Sequence, residues 1–217
     1  MVFTSVPNSI TPEVVRGCGQ IGITTLPVFV DVSPAPSALP NKCILNVLKW
    51  LETNDGQLVL GWKVNLWSGV LVELIGHSVI RSKDALLHCI TPDQFGSKRI
   101  LFLEDARITY DPNDPLSRMP VKRVPLTNHR DVATFIAIEE KITAIKSKYP
   151  PTSGPIAVHG DDAATLEKLE KGKRNAFRDL ALRVWRNADP CPCESGKSFA
   201  SCCRSGMSMS QRAARAR

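Results

Sequence analysis

No stretch of this 217-residue chain is long and apolar enough to span a bilayer. The N-terminus also lacks the basic start and unbroken apolar run of a secretory signal. Aromatic residues make up only 6% of the chain, and neither an aromatic-rich surface nor a base-reading motif is present. There is no internal repeat. A phosphate loop is excluded as well: Glu194-Ser195-Gly196-Lys197-Ser198 has the ending of one, but Cys191 stands where its first glycine belongs. What remains is the composition of an ordinary globular protein, long enough to bury one good core with a small appendage.

Charge is unevenly placed. The whole chain carries 28 Lys or Arg against 21 Asp or Glu. Residues 171–217 hold 11 basic against 3 acidic residues, a balance of +8, and the first 170 hold 17 against 18, a balance of −1. This basic C-terminal quarter, ending in Arg212, Arg215 and Arg217, can attract RNA, ribosomes, anionic lipid or an acidic protein without reading sequence. A solvated helix face followed by a disordered tail is the plainer reading of the same charges.

Of seven cysteines, Cys191, Cys193, Cys202 and Cys203 fall within thirteen residues. Two close pairs joined by an eight-residue loop suit a tetrahedral thiolate zinc site. The adjacent Cys202 and Cys203 make a strained disulfide partner set, so zinc is the better reading. A thiolate zinc site fits a reducing cytoplasm, in which Cys18, Cys43 and Cys89 are free thiols. The surrounding Pro190-Cys191-Pro192-Cys193, the Ser195-Gly196-Lys197 turn and Phe199 before the last pair resemble the SEC-C motif, over about residues 186–204. That resemblance implies one structural Zn2+ held by Cys191, Cys193, Cys202 and Cys203, in a small knuckle that docks a protein partner. Chelation is then expected to loosen residues 187–204 without melting the rest.

Residues 1–40 read as an arm with a short strand at 26–30, ending in the proline-rich link Ser33 to Pro40. Apolar residues at 44, 47, 48 and 51 predict a helix capped by Asn41 and stopped by Gly56. Four β-like runs at 57–66, 70–81, 85–91 and 99–104 predict an antiparallel meander. Residues 105–128 read as irregular. Helices are expected at about 131–148 and 162–186, with 150–161 between them. The expected units are therefore 1–40, an α+β domain at 41–127, a helical segment at 128–186, the knuckle at 187–204 and a basic tail at 205–217.

Cys43 falls in the first turn of its helix, where unpaired N–H groups and the dipole stabilise a thiolate. A cysteine there suits a nucleophile if a histidine is within reach. A turn at Arg81-Ser82-Lys83-Asp84 pairs strands so that partner numbers sum to 165. His77 and His88 are then cross-strand neighbours, about 5 Å apart at Cβ. The plainer readings are that Cys43 is a buried small hydrophobe and that both histidines are packing residues. Cys18 and Cys89 read as structural. A second metal site at Cys43, His77 and His88 is a further alternative.

Several residues in order carry a second resemblance: Cys43-Ile44-Leu45-Asn46-Val47, Gly61-Trp62, Glu73 to His77 with Val79, Ile90-Thr91-Pro92, and Leu101-Phe102-Leu103-Glu104-Asp105. Over about residues 41–105 they resemble an uncharacterised bacterial and phage group found with SEC-C tails. The order of a helix-start Cys followed by a strand His is similar to papain-like and transglutaminase-like hydrolases. The group's Asp before Ile-Thr-Pro is missing here, where the chain reads His88-Cys89; Asp84 or Asp93 are its candidate substitutes. The resemblance implies an α+β, papain-like fold in which a Cys-bearing helix packs on an antiparallel sheet. It further implies a thiol hydrolase or transferase acting on amide, peptide or isopeptide bonds. Cys43 is then the nucleophile, His77 the base and His88 the residue orienting it. The alternative is a non-catalytic adaptor whose knuckle and basic flank dock a protein, a ribosome or nucleic acid.

Overall fold

Alternating apolar residues in Gln57–Trp67 (β2) and Leu71–Arg81 (β3) build the centre of the protein, a long antiparallel hairpin paired along its whole length. A computed structural model describes residues 4–93, 96–152, 155–189, 191, 196–202 and 204. Before the hairpin come Pro12–Gly19 (α1), Val28–Asp31 (β1) and Cys43–Leu51 (α2). After it come Leu87–His88 (β4), Arg99–Glu104 (β5), Val121–Pro125 (β6), Arg130–Lys146 (α3) and Gly160–Val184 (α4). The fold is thus mixed α+β on an antiparallel sheet, with strand order β1-β5-β2-β3-β4.

The simple meander does not hold. β5 crosses to the far side of β2 and takes β1 on its outer edge, while β6, in the stretch read as irregular, pairs with β3. β6 is five residues, Val121-Lys122-Arg123-Val124-Pro125, with one buried side chain, too short to show a period. The sheet also curls. Cys89 N–H donates to Asp31 O at 3.2 Å and Ser33 N–H donates to Cys89 O at 2.9 Å, so the strands at the two ends of the order meet.

The two faces of the hairpin are covered differently. Val14 and Cys18 of α1 pack on Trp62, Val64, Val72 and Leu74. On the opposite face Trp67 and Leu71 meet Val132 and Phe135 of α3 and Phe177 and Leu180 of α4. Trp185 stacks on Trp67 with ring centroids 5.2 Å apart. The C-terminal segment continues this cluster: Phe199 is fully buried, Cys191 is 4% exposed, and both join it. Glu139, buried on α3, is tolerated because Arg123 of β6 and Lys173 of α4 pair with it at 3.4 and 3.0 Å. Among the described residues no helix is long and apolar enough to cross a membrane.

Candidate functional site

β4 and β6 pair with the same edge of β3 but at opposite ends, β4 at Ile80 and Arg81 and β6 at Leu71 to Ile75. Between them Gly76 to Val79 have no strand partner on this edge, which leaves a notch in it. Gly76 N–H leaves this edge to reach Pro120 O at 2.7 Å. Any side chain at Gly76 would collide with Pro120. Backbone groups alternate direction along a strand, so Ser78 N–H, two residues on, points out of the same edge. The start of α2 fills the notch and sets the Cys43 thiol against Ser78.

Cys43 therefore lies among donors. The hydroxyl and N–H of Ser78 and the N–H groups of Ile44 and Cys43 itself all favour its thiolate. Burial opposes them and wins: Cys43 is 8% exposed, and its thiol is pushed above the ordinary value. The helix start is held in place by strain and by Asn46. Asn41 adopts a left-handed φ of 61°, and Lys42, not Asn41, stands at the N-cap. Asn46 bonds Leu39 N–H and Leu39 O at 3.0 and 2.8 Å, and Thr91 Oγ1 at 3.0 Å.

Cys43 opens onto a cavity of about 430 Å³ that it shares with His77, Cys89, Lys63, Asp93 and Asn65. This volume lies within the range of small-molecule pockets. Gly61, Lys63 and Asn65 alternate along β2 opposite His77, Ile75 and Glu73 of β3 and so share one face. Gly61 has no room for a side chain, because the Phe102 ring and Leu103 carbonyl press against it. His77 Nε2 lies 3.2 Å from Cys89 Sγ. Burial, and then the Lys63 charge, lower the His77 imidazole to about 4, with Asp93 opposing them. Cys89 is raised to about 11, chiefly by burial, and the negative charge of Cys43 adds to the rise. Lys63 and Asp93 form a partly buried ion pair, and Asp93 also accepts from Ser97 N–H at 3.1 Å. At neutral pH the thiols and the imidazole are all uncharged.

The expected register is not found. Ile80 pairs with His88 and Arg81 with Leu87, so partner numbers sum to 168. The cause is a longer turn, closed by Ser82 N–H to Leu86 O at 2.9 Å, with Ala85 left-handed at φ 61°. His88 is exposed and opposite Ile80, so it does not reach His77. Cys89, read as structural from the sequence, is the residue that touches His77. In the chain it stands just before Ile90-Thr91-Pro92. Asp93 reaches the cavity, whereas Asp84 is exposed on the turn.

Most other residues of the second resemblance hold the fold. Trp62 Nε1 donates to Asp105 Oδ2 at 2.9 Å. Asp105 is held at about 2, mainly by the Arg107 guanidinium, which donates to it from Nε at 2.8 Å and from one Nη at 3.0 Å. Glu73 pairs with Arg123 at 3.0 Å and accepts from Thr4 at 2.8 Å.

At the C-terminal segment, Cys191 N–H donates to Lys197 O at 2.9 Å and Phe199 N–H donates to Asp189 O at 2.8 Å. These bonds lay the first cysteine arm beside the chain that leads into Cys202. Cys191 lies in the aromatic cluster and Cys202 is partly buried against it. Cys193, Cys203 and the basic tail at 205–217 lie outside the described residues. Among the described residues no three His, Cys, Asp or Glu side chains form a metal-holding group, Cys43, His77 and His88 included.

No curated protein and no solved structure matches the chain. Residues 188–205 match the family model of the SEC-C motif, a motif that is commonly zinc-binding.

Proposed function

We propose that this chain is a thiol hydrolase or transferase acting on amide, peptide or isopeptide bonds, with Cys43 as nucleophile and His77 as base. The observation that supports it most is the seat of Cys43, a helix-start thiol among backbone N–H donors, facing a cavity that also holds an imidazole. A helix-start cysteine ahead of a strand histidine is also the order behind the papain-like reading.

In the reaction, Cys43 sulfur attacks the amide carbonyl carbon as its proton passes to His77. The oxyanion is stabilised by backbone N–H groups at the start of α2. His77 returns the proton to the departing amine, the C–N bond breaks and a thioester remains. Water or a second amine then attacks the thioester, yielding acid or a new amide and restoring the thiol. Cys89 takes over from His88 as the group holding His77. Both partners rest neutral, so the proton transfer creates the ion pair only as the bond forms.

The C-terminal cysteines fit a structural zinc, with Cys191, Cys193, Cys202 and Cys203 as its ligands. When bound, it joins the two arms of the loop. The second reading is a non-catalytic adaptor that docks a protein or ribosome through this segment and its basic flank. The high thiol and low imidazole favour it, since no thiolate stands ready. An acyl burst separates the two. With p-nitrophenyl acetate the hydrolase reading expects about one equivalent of p-nitrophenol released fast and acetyl on the Cys43 peptide by mass spectrometry. The burst should vanish in Cys43→Ala and slow at least 100-fold in His77→Ala. Acetylation no faster than that of a free thiol leaves the adaptor.

A further inference from the structure

Two free thiols, Cys43 and Cys89, border one cavity, and two short chains of contacts join them. On one side Cys43 lies against Ser78, whose chain neighbour His77 sets Nε2 3.2 Å from Cys89 Sγ. On the other side Cys89 Sγ donates to Thr91 O at 3.6 Å, and Thr91 Oγ1 accepts from Asn46 Nδ2 at 3.0 Å. Asn46 stands three residues after Cys43, on the same face of α2. The bond that ties α2 to Thr91 therefore also draws Cys43 toward Cys89. The negative charge of Cys43 is felt at Cys89, as nearness in a buried site requires.

The two thiols differ in access. Cys43 is 8% exposed and Cys89 1%, so a small oxidant entering the cavity meets Cys43 first. The Ser78 hydroxyl and the N–H groups at the start of α2 stabilise the thiolate that reacts there. The first oxidation product of a thiol is a sulfenic acid. With a second thiol beside it that product condenses to a disulfide, and without one it goes on to sulfinic acid.

We infer that Cys43 is an oxidation site and Cys89 its resolving thiol, the two closing a reversible disulfide when the protein meets a hydroperoxide. In the first step Cys43 sulfur attacks the outer peroxide oxygen and the O–O bond breaks. The alkoxide leaves with the thiol proton as an alcohol, or as water from hydrogen peroxide, and Cys43 is left as the sulfenic acid. In the second step Cys89 sulfur attacks Cys43 sulfur and the S–O bond breaks. His77 Nε2, in contact with Cys89, carries its proton to the departing hydroxide, which leaves as water. One peroxide has then taken two electrons from two thiols, and an external dithiol returns them. Both thiols rest neutral in the buried site, so the first step is slow and the site answers sustained oxidant instead of turning over peroxide. The inference goes beyond the acyl-transfer reading and holds without it; where Cys43 is the nucleophile, the disulfide is its off state.

The test treats the full-length protein with excess hydrogen peroxide, alkylates the remaining thiols in denaturant with N-ethylmaleimide, and digests with trypsin without reduction. Cleavage after Lys42, Lys49, Lys83 and Lys98 puts Cys43 and Cys89 on separate peptides that hold no other cysteine. A cross-linked pair of these peptides is expected in mass spectra, and dithiothreitol should release it. In Cys89→Ser, Cys43 should instead be trapped by dimedone as the sulfenic acid, and in His77→Gln closure should slow about 100-fold. Cys18, packed in the α1 cluster, should stay alkylated, which marks oxidation of folded molecules. Cys43 trapped by dimedone or driven to sulfinic acid in wild type, with Cys89 alkylated, overturns the inference. So does a peroxide dose that links the C-terminal cysteines but leaves Cys43 and Cys89 alkylated, or linkage of Cys18 at the same rate. All three are read in wild type, so none requires a variant to fold. The acyl burst of the reduced protein, run beside it, reports on the amide chemistry alone. A cross-link without a burst sinks the hydrolase reading alone, and a burst without a cross-link sinks the disulfide alone.

Discussion

Replacing Phe199 by Ala tests whether the C-terminal segment is a tethered appendage or part of the main core. Phe199 is fully buried, its ring lies 5.9 Å from Trp185, and the cluster around it includes Trp67 of β2 and Phe177 of α4. Truncating a buried Phe costs about 3–5 kcal/mol. For a chain of this length that corresponds to a fall in Tm of about 6–20 °C. A loosely attached segment would instead leave the main transition within about 0.5 kcal/mol. Urea and thermal unfolding followed by tryptophan fluorescence report on this directly, since Trp67 and Trp185 belong to the cluster. Removing zinc with a chelator should move the same transition, against the sequence expectation that only residues 187–204 loosen. An unchanged Tm in both experiments, with the mutant segment protease-sensitive, would refute the reasoning.

His77 makes stability depend on pH. Its imidazole falls from 6.5 to about 4 on folding, so between those values the unfolded chain binds more protons. The contribution is complete above pH 6.5 and is lost as pH falls through 4, at most about 3 kcal/mol. Urea midpoints at pH 7.5 and 4.5 should differ less in His77→Gln than in wild type. Asp105→Ala strands the buried Trp62 indole N–H and should cost about 1–3 kcal/mol by urea unfolding, with Asp105→Asn recovering part of it. The Asp105 charge also loses its contribution as pH falls through about 2. Asn46→Ala removes three hydrogen bonds joining α2, the proline-rich arm and Thr91. It should cost about 2–3 kcal/mol and quicken proteolysis near residues 33–40.

The sequence showed the long elements and not their pairing. β2, β3, β5, α3 and α4 announce themselves through period and length, and each lies within a few residues of its expected place. The strand order does not follow from period, because β5 could pair with β4 or β2 with the same alternation. One left-handed residue, Ala85, lengthened a turn and moved His88 from partner to bystander. α1 was missed because eight residues with two glycines give a weak helical pattern. Cys43 and His77 were legible as candidates by residue type and order, and the fold sets both on one cavity. Cys89 was not, since a buried free thiol ordinarily reads as packing.

The notch between β4 and β6 has a consequence for solubility. An uncovered strand edge is a template on which other chains can add strands, and this one lies along the buried hairpin at the centre of the protein. The start of α2 acts as its stopper, held by one asparagine and a strained turn. Any change that lifts the helix, whether in the arm before it or at Asn46, therefore exposes a sticky edge as well as the thiol. Loss of that helix should show itself first as aggregation of otherwise folded molecules, before any global unfolding.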